Sequence, residues 1–363
     1  MSEATNPKIR DLRKAIQALA DSIGRPLRLM EVCGTHTVAV FRHGIRSLLP
    51  GSIQLLSGPG CPVCVTSVKD VDRAVAISKA PGMVLATFGD MMRVPGGKGS
   101  LSDAKAEGAS VRVVYSPLDA LGMASKEGDM KVCFFAAGFE TTIPLVAATL
   151  LEADRTGVGN FYIYSVHKVV PPALRALLEA PEVSVDGFIL PGHVSTIIGS
   201  RPYEFLGKEY GVPSVITGFG AEDILEGILM LLEQVSSGRP EVRIQYRTVV
   251  RQEGNPRAMA LIEEYFEPCA SHWRGIGSID GSGLRLRQKY SKRDVGGVCD
   301  LEVPDYPEPR GCSCGEVLRG VKAPTDCPLF GRRCTPASPV GACMVSTEGS
   351  CAAYYRYMGV GAG

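Results

Sequence analysis

The chain has 363 residues, 45% of them hydrophobic and 21% charged, which is enough apolar material for two or three domains with cores of their own. With 39 Lys and Arg against 38 Asp and Glu, the net charge of +1 excludes the basic footprint that nucleic acid or an anionic membrane surface attracts. The polar first ten residues do not read as a signal peptide, and the longest apolar run, around 143–151, is far short of the ~20 residues that span a bilayer. A cytoplasmic protein is expected, with its thiols kept reduced.

The first element in chain order is a helix over 7–23. Asn6 caps it, Pro7 suits its first position, Ile9, Leu12, Ile16 and Leu19 line one face, and Gly24 ends it. Short apolar β-type runs follow at 27–32, 52–56, 83–88 and 111–115, and a second set at 131–136, 161–164, 187–190 and 214–217. Helical stretches separate them, so the expected class is α/β: two similar lobes with parallel sheets flanked by helices. The lobes are expected to be 25–127 and 128–238, parting near 125–129, with a helix over 221–235 closing the second. Beyond Ser236-Ser237-Gly238 helical periodicity fades, and 239–363 is expected to be a separate loop-rich domain, joined by the helix 7–23.

Polar motifs follow the strands directly, where open α/β sheets place their ligands. Cys33-Gly34-Thr35-His36 comes after the first run and opens a helix expected through Leu49. Gly58-Pro59-Gly60-Cys61-Pro62-Val63-Cys64 comes after the second. Gly138-Phe139-Glu140-Thr141-Thr142 and Pro191-Gly192-His193-Val194-Ser195 sit the same way in the second lobe, so that all four motifs are expected to face one cleft.

Cys61 and Cys64 form a C-x-x-C ahead of a helix that Ser67 and Asp70 cap. A thiol at a helix N-terminus is a better thiolate, and two this close open and close as a disulfide. Half of a zinc site is the competing reading, although no second C-x2-C exists. Cys33 and His36 on one turn suit a soft or borderline metal or a nucleophile–base pair; alternatively Cys33 packs and His36 caps. Glu140 is a site residue or part of a helix start, and His193 and His167 are functional or structural. Cys133 reads as core, and Cys269 and Cys299 have no assigned role.

Six of the twelve cysteines crowd into the tail at Cys312, Cys314, Cys327, Cys334, Cys343 and Cys351. Their spacing lacks zinc knuckles and suits thiolates from separate loops around an iron–sulfur cluster, with zinc and ligand-free thiols as alternatives. The similar spacings of Cys327, Cys334, Cys343 and Cys351 make these the expected cluster ligands, leaving Cys312 and Cys314 as accessory thiols. No phosphate-binding motif is intact: Pro95-Gly96-Gly97-Lys98-Gly99-Ser100 lacks the required order.

Taken together, the motifs closely resemble the hydrogenase maturation factor HypD family. The resemblance is carried by Glu31-Val32-Cys33-Gly34-Thr35-His36-Thr37, Gly58 through Thr66, Gly138 through Thr142 and Leu190 through Ser195. In the tail it continues through Cys334-Thr335-Pro336, Gly341 through Ser346, Gly349 and Cys351 through Tyr354. It implies an assembly factor for the Fe(CN)2CO unit of [NiFe]-hydrogenase, working as a scaffold with a HypC-type small chaperone. A HypE-type protein would donate the cyanide, and the hydrogenase large subunit would receive the product. The resemblance also implies that Cys33 binds the transient iron with His36 beside it, that Cys61 and Cys64 are the redox dithiol, and that the tail holds a [4Fe–4S] cluster. Cys61, Cys64, His36, Glu140 and His193 are thus the candidate catalytic residues. A stand-alone iron–sulfur-dependent thiol–disulfide oxidoreductase is the alternative.

Overall fold

The computed structural model describes residues 6–126, 128–300 and 302–359. Its strands are β1 (Leu27–Glu31), β2 (Ile53–Ser57), β3 (Met83–Thr87), β4 (Val111–Val113), β5 (Lys131–Ala136), β6 (Phe161–Ser165), β7 (Gly187–Leu190), β8 (Ser214–Ile216), β9 (Val242–Ile244), β10 (Phe266–Trp273) and β11 (Gly277–Leu286). The expected α/β class holds: two all-parallel sheets flanked by helices, with a cysteine-rich C-terminal region. Among the described residues no helix is long and apolar enough to cross a membrane.

The grouping of strands differs from the expected succession of four and four. One sheet runs β2-β1-β7-β8-β9 and the other β4-β3-β5-β6, so the chain leaves the first sheet after β2 and returns at β7. Residues 125–129 therefore lie between two elements of a single lobe. Strand order is set by which edges pair in space, and the runs of apolar residues carry no record of that.

The two faces of each sheet explain the packing. Along β5, Val132, Phe134 and Ala136 face a core with the helices Pro117–Lys126 and Ile143–Arg155, while Cys133 and Phe135 face the other way. Along β1, Leu27 and Leu29 face the helices Pro7–Ile23 and Ala221–Ser237, and Met30 faces inward. The inward faces of both sheets share one large core with Cys61, Cys64, Trp273, Cys343 and Cys351. The site lies in this shared layer.

The N-terminal helix Pro7–Ile23 is capped as its sequence requires: Lys8 N donates to the Asn6 side chain, and Gly24 closes it at φ 68°. It packs on Ala221–Ser237, on the outer face of the first sheet, and not on the tail as expected. Residues 242–286 are also more ordered than the fading periodicity implied. β9 completes the first sheet, the helix Pro256–Tyr265 packs on Ile143–Arg155, and β10 and β11 form an antiparallel hairpin. Along β10 the alternation is masked by half-buried Glu267, Cys269 and Ser271 positions, which is why it reads as loop.

Candidate functional site

Cys33 lies just beyond β1 in extended conformation and serves as N-cap of the helix Gly34–Arg42. That helix stops sooner than expected, because Gly44 turns left-handed at φ 59° before a short second helix, Ile45–Leu48. Cys33 is buried at 8% exposure, and burial pushes its thiol up to about 11, with the carboxylate of Glu348 pushing the same way. Backbone N–H groups of His36 and Thr35 pull in the opposite direction.

The C-x-x-C loop is seated against Cys33. Gly34 N donates to Gly60 O over 2.9 Å, and a Cβ on Gly60 would collide with the backbone of Val32 and Cys33. Only glycine permits that approach. Cys61 caps the short helix Pro62–Val65, and its sulfur is paired with that of Cys64 as a disulfide, with Cα atoms 5.2 Å apart. Both are nearly inaccessible, at 3% and 0% exposure. The main helix of this segment, Val68–Lys79, is capped by Ser67, which accepts from Asp70 N and donates to its carboxylate.

His36 is fully buried, and burial lowers its pKa to about 4, so the ring is neutral. Its Nε2 lies 2.9 Å from Gly218 O, which can only accept, so Nε2 carries the proton. Nδ1 is then a lone pair buried without any partner. Phe219 is sandwiched between His36 and His193, with ring centroids at 4.6 and 4.1 Å. His193 itself is exposed. The structure thus joins two of the predicted histidine motifs through Thr217, Gly218 and Phe219.

Glu140 is buried, and burial raises its carboxyl to about 7. Its Oε1 accepts from Val170 N over 2.8 Å at the start of the helix Val170–Glu179, and its Oε2 has no partner. Capping a distant helix is a structural task. Tyr203, completely buried with an unpartnered hydroxyl, feels the charge of both Glu140 and Cys33. His167 is buried beside Ser165 and Phe266. Cys133 is core, as expected.

The tail reaches this site directly. Glu348 accepts from the Thr35 hydroxyl over 2.8 Å, and an added Cβ on Gly34 would lie 2.6 Å from Glu348 Cβ and 2.7 Å from its carbonyl oxygen. Phe41, on the helix that Cys33 caps, packs on Tyr354 and Tyr357 of the helix Ser350–Tyr357, whose first turn carries Cys351. The segment Pro62–Val65 also contacts the turn Ala342–Met344 around Cys343.

Of the four expected tail ligands, Cys334, Cys343 and Cys351 come together, but they do so with Cys312 and Cys314. Cys314, Cys343 and Cys351 hydrogen-bond to one another, Cys312 bonds to Cys314, and Cys334 lies within electrostatic reach of Cys312 and Cys314. A Cβ on Gly341 would lie 2.6 and 2.7 Å from the sulfurs of Cys312 and Cys314. Cys327 instead points its sulfur toward Gly311 O, 3.8 Å away. Even spacing misled because convergence depends on the turn at Gly341, which folds Cys343 back on Cys312 and Cys314. Hydrogen bonds from Cys314 and Cys343 depress the Cys351 thiol to about 6. Among the described residues no three His, Cys, Asp or Glu side chains are arranged to grip a single metal ion.

Comparison with known proteins finds relatives along nearly the whole chain. A family model described as HypD, Hydrogenase formation hypA family, matches residues 7–358. A hydrogenase maturation factor HypD of Rhizobium leguminosarum is 46% identical over 356 residues, covering 96% of this chain and 92% of that protein. The HypD of Escherichia coli is 45% identical over 355 residues, covering 96% and 94%. A putative hydrogenase expression/formation protein of Methanocaldococcus jannaschii is 46% identical over 347 residues, covering 94% and 95%.

Proposed function

The chain belongs to the HypD family of hydrogenase maturation factors, and we propose that it is a cytoplasmic scaffold on which the iron of a [NiFe]-hydrogenase receives its cyanide and carbon monoxide ligands. The observation that carries this reading is the junction at Gly34, where the Cys33 motif, the C-x-x-C loop and the tail meet within direct contact. A HypC-type chaperone shares the iron, a HypE-type protein supplies cyanide, and the hydrogenase large subunit accepts the finished unit.

In this reading Cys33 is the thiolate that holds the cargo iron. Its high thiol pKa is a property of the metal-free site, and a bound cation favours deprotonation. The Gly218 carbonyl locks His36 in the tautomer whose Nδ1 lone pair is free, which is the state a metal or a proton donor needs. Phe219 holds that ring in place from its open face.

Cys61 and Cys64 supply the reducing equivalents for cyanide release. Closing the dithiol to the disulfide releases two electrons and two protons. One thiocyanate-type S–CN bond consumes them, yielding a thiol and hydrogen cyanide, so atoms and electrons balance. Their burial favours a partner-fed site over a free-standing oxidoreductase, whose reactive thiol must be open to attack.

The tail thiols fit an iron–sulfur cluster in donor type, because five cysteines, the half-buried Cys312 and four buried ones, converge on the Gly341 turn with no oxygen or nitrogen ligand among them. We assign Cys314, Cys334, Cys343 and Cys351 as the residues that would hold a [4Fe–4S] cluster, which when bound supplies reversible one-electron transfer.

The test is infrared spectroscopy of anaerobically purified chain with its small chaperone. Cys33→Ala is expected to abolish the cyanide and carbon monoxide bands while the brown cluster absorption stays. Bands that survive the substitution would remove Cys33 from the site.

A further inference from the structure

Gly218, whose carbonyl oxygen meets the His36 ring, is a glycine for a steric reason. A Cβ at this position would stand 2.6 Å from the Oδ2 of Asp223. A residue without a Cβ has the widest backbone freedom, so the direction of its carbonyl has to be fixed from outside. The direction matters because the partner at one ring nitrogen decides which nitrogen carries the proton. Thr217 Oγ1, 2.8 Å from His36 Nε2, is the other oxygen at that nitrogen.

The outside support is Gln245. It lies just beyond β9, and its backbone N–H donates to Ile216 O over 2.9 Å at the end of β8. Its side-chain oxygen accepts from Gly218 N over 3.0 Å, across the α-carbon from the carbonyl that His36 bonds. Its amide nitrogen uses both hydrogens, donating to Asp223 Oδ1 and Glu226 Oε2 over 2.9 Å each. Carboxylates only accept, so turning the amide over would set its oxygen against both of them. Asp223 and Glu226 sit one turn apart on the helix Ala221–Ser237, and Asp223 Oδ2 also accepts from Gly220 N over 3.1 Å. The turn that carries Gly218 is thereby held from β9 and from the helix at once.

We propose that Gln245 is a positioning residue for His36: clamped by Asp223 and Glu226, it fixes Gly218 so that the carbonyl keeps the imidazole proton on Nε2 and leaves Nδ1 bare. Gln245 acts on the ring through Gly218. The tautomer is a property of the metal-free chain and stands without the scaffold reading. Only its consequence, which ring nitrogen is offered beside the cargo iron, rests on that reading.

The experiment is nitrogen-15 NMR of the full metal-free chain labelled at histidine, with the His36 signals assigned by their loss in His36→Gln. The parent is expected to show one protonated and one bare ring nitrogen, widely separated in shift, with a slowly exchanging Nε2 proton. Gln245→Leu removes the clamp, and Gln245→Glu sets a third carboxylate against two. Both are expected to narrow the separation and to lose the slow proton, while His167, which bonds Ser165 Oγ instead, keeps its signals. Gln245→Glu combined with Asp223→Asn and Glu226→Gln reverses the direction of the two clamp bonds and is expected to restore the parent pattern. Gln245 is half-buried, and the amide spectrum confirms that each variant is folded. A parent ring protonated on Nδ1, a pattern unchanged in both single variants, or a folded triple variant without restoration overturns the proposal.

Discussion

Replacing Gly34 with Ala sets two opposed effects against each other. Gly34 is the first residue of the helix Gly34–Arg42, and Gly→Ala in a helix ordinarily stabilises by up to about 1 kcal/mol. Here the new methyl would stand 2.6 Å from Glu348 Cβ and 2.7 Å from Glu348 O, and the second of these is backbone that cannot rotate away. Forcing a methyl into such a contact costs about 1–3 kcal/mol. If Glu348 is displaced, the Thr35 hydroxyl also loses its 2.8 Å bond to a carboxylate, a class of bond worth about 1.5–3 kcal/mol. The clash wins, and the net expectation is a loss of about 1–3 kcal/mol. Gly122, exposed in the helix Pro117–Lys126 with nothing within 4 Å of its would-be Cβ, is the control, and Gly122→Ala is expected to gain up to about 1 kcal/mol. Urea midpoints of both variants measure the difference, and amide exchange across 346–351 reports whether the tail has lifted. A Gly34→Ala protein as stable as the parent, with that segment still protected, would refute the claimed tail contact.

Iron content separates the tail thiols: Cys314→Ala is expected to lose the cluster on anaerobic purification, whereas Cys327→Ala retains it. Arg293 is 4% exposed, with Asp154 as its charge partner at 2.7 Å, so Asp154→Ala leaves a buried guanidinium without that partner and is expected to cost about 3–5 kcal/mol in urea unfolding. Glu140 has its pKa raised by burial from 4.5 to about 7, so its neutral form is the one the fold prefers. Its contribution to stability is fully present below 4.5 and is lost as pH rises through 7. Glu140→Gln is expected to flatten stability across that window relative to the parent, and an unchanged slope would show that Glu140 does not titrate there.

Much of this site was legible from local sequence, because local chemistry built it. The cap at Asn6, the strand at 131–136 and the start of a helix at Cys33 each follow from neighbouring residues, and the structure places them so. What escaped was whatever depends on distant partners. Glu348 looks like any tail carboxylate until Thr35 is seen against it across 313 positions. Phe219 acquires meaning only between His36 and His193. Sheet membership escaped for the same reason, since β1 and β7 pair across the 155 residues from 32 to 186 without any pattern that marks them. Cys327 was chosen over Cys314 on spacing alone, and spacing does not record the fold at Gly341 that brings two loops together.

The central claim is that Cys33 holds the cargo iron apart from the tail thiols. Mössbauer spectroscopy of the chain with its small partner, produced with isotopically enriched iron, tests it most directly. The account predicts a low-spin iron signal distinct from the cluster, which disappears in Cys33→Ser while the cluster signal remains. A low-spin iron that persists in Cys33→Ser, or one that disappears only together with the cluster, would contradict it.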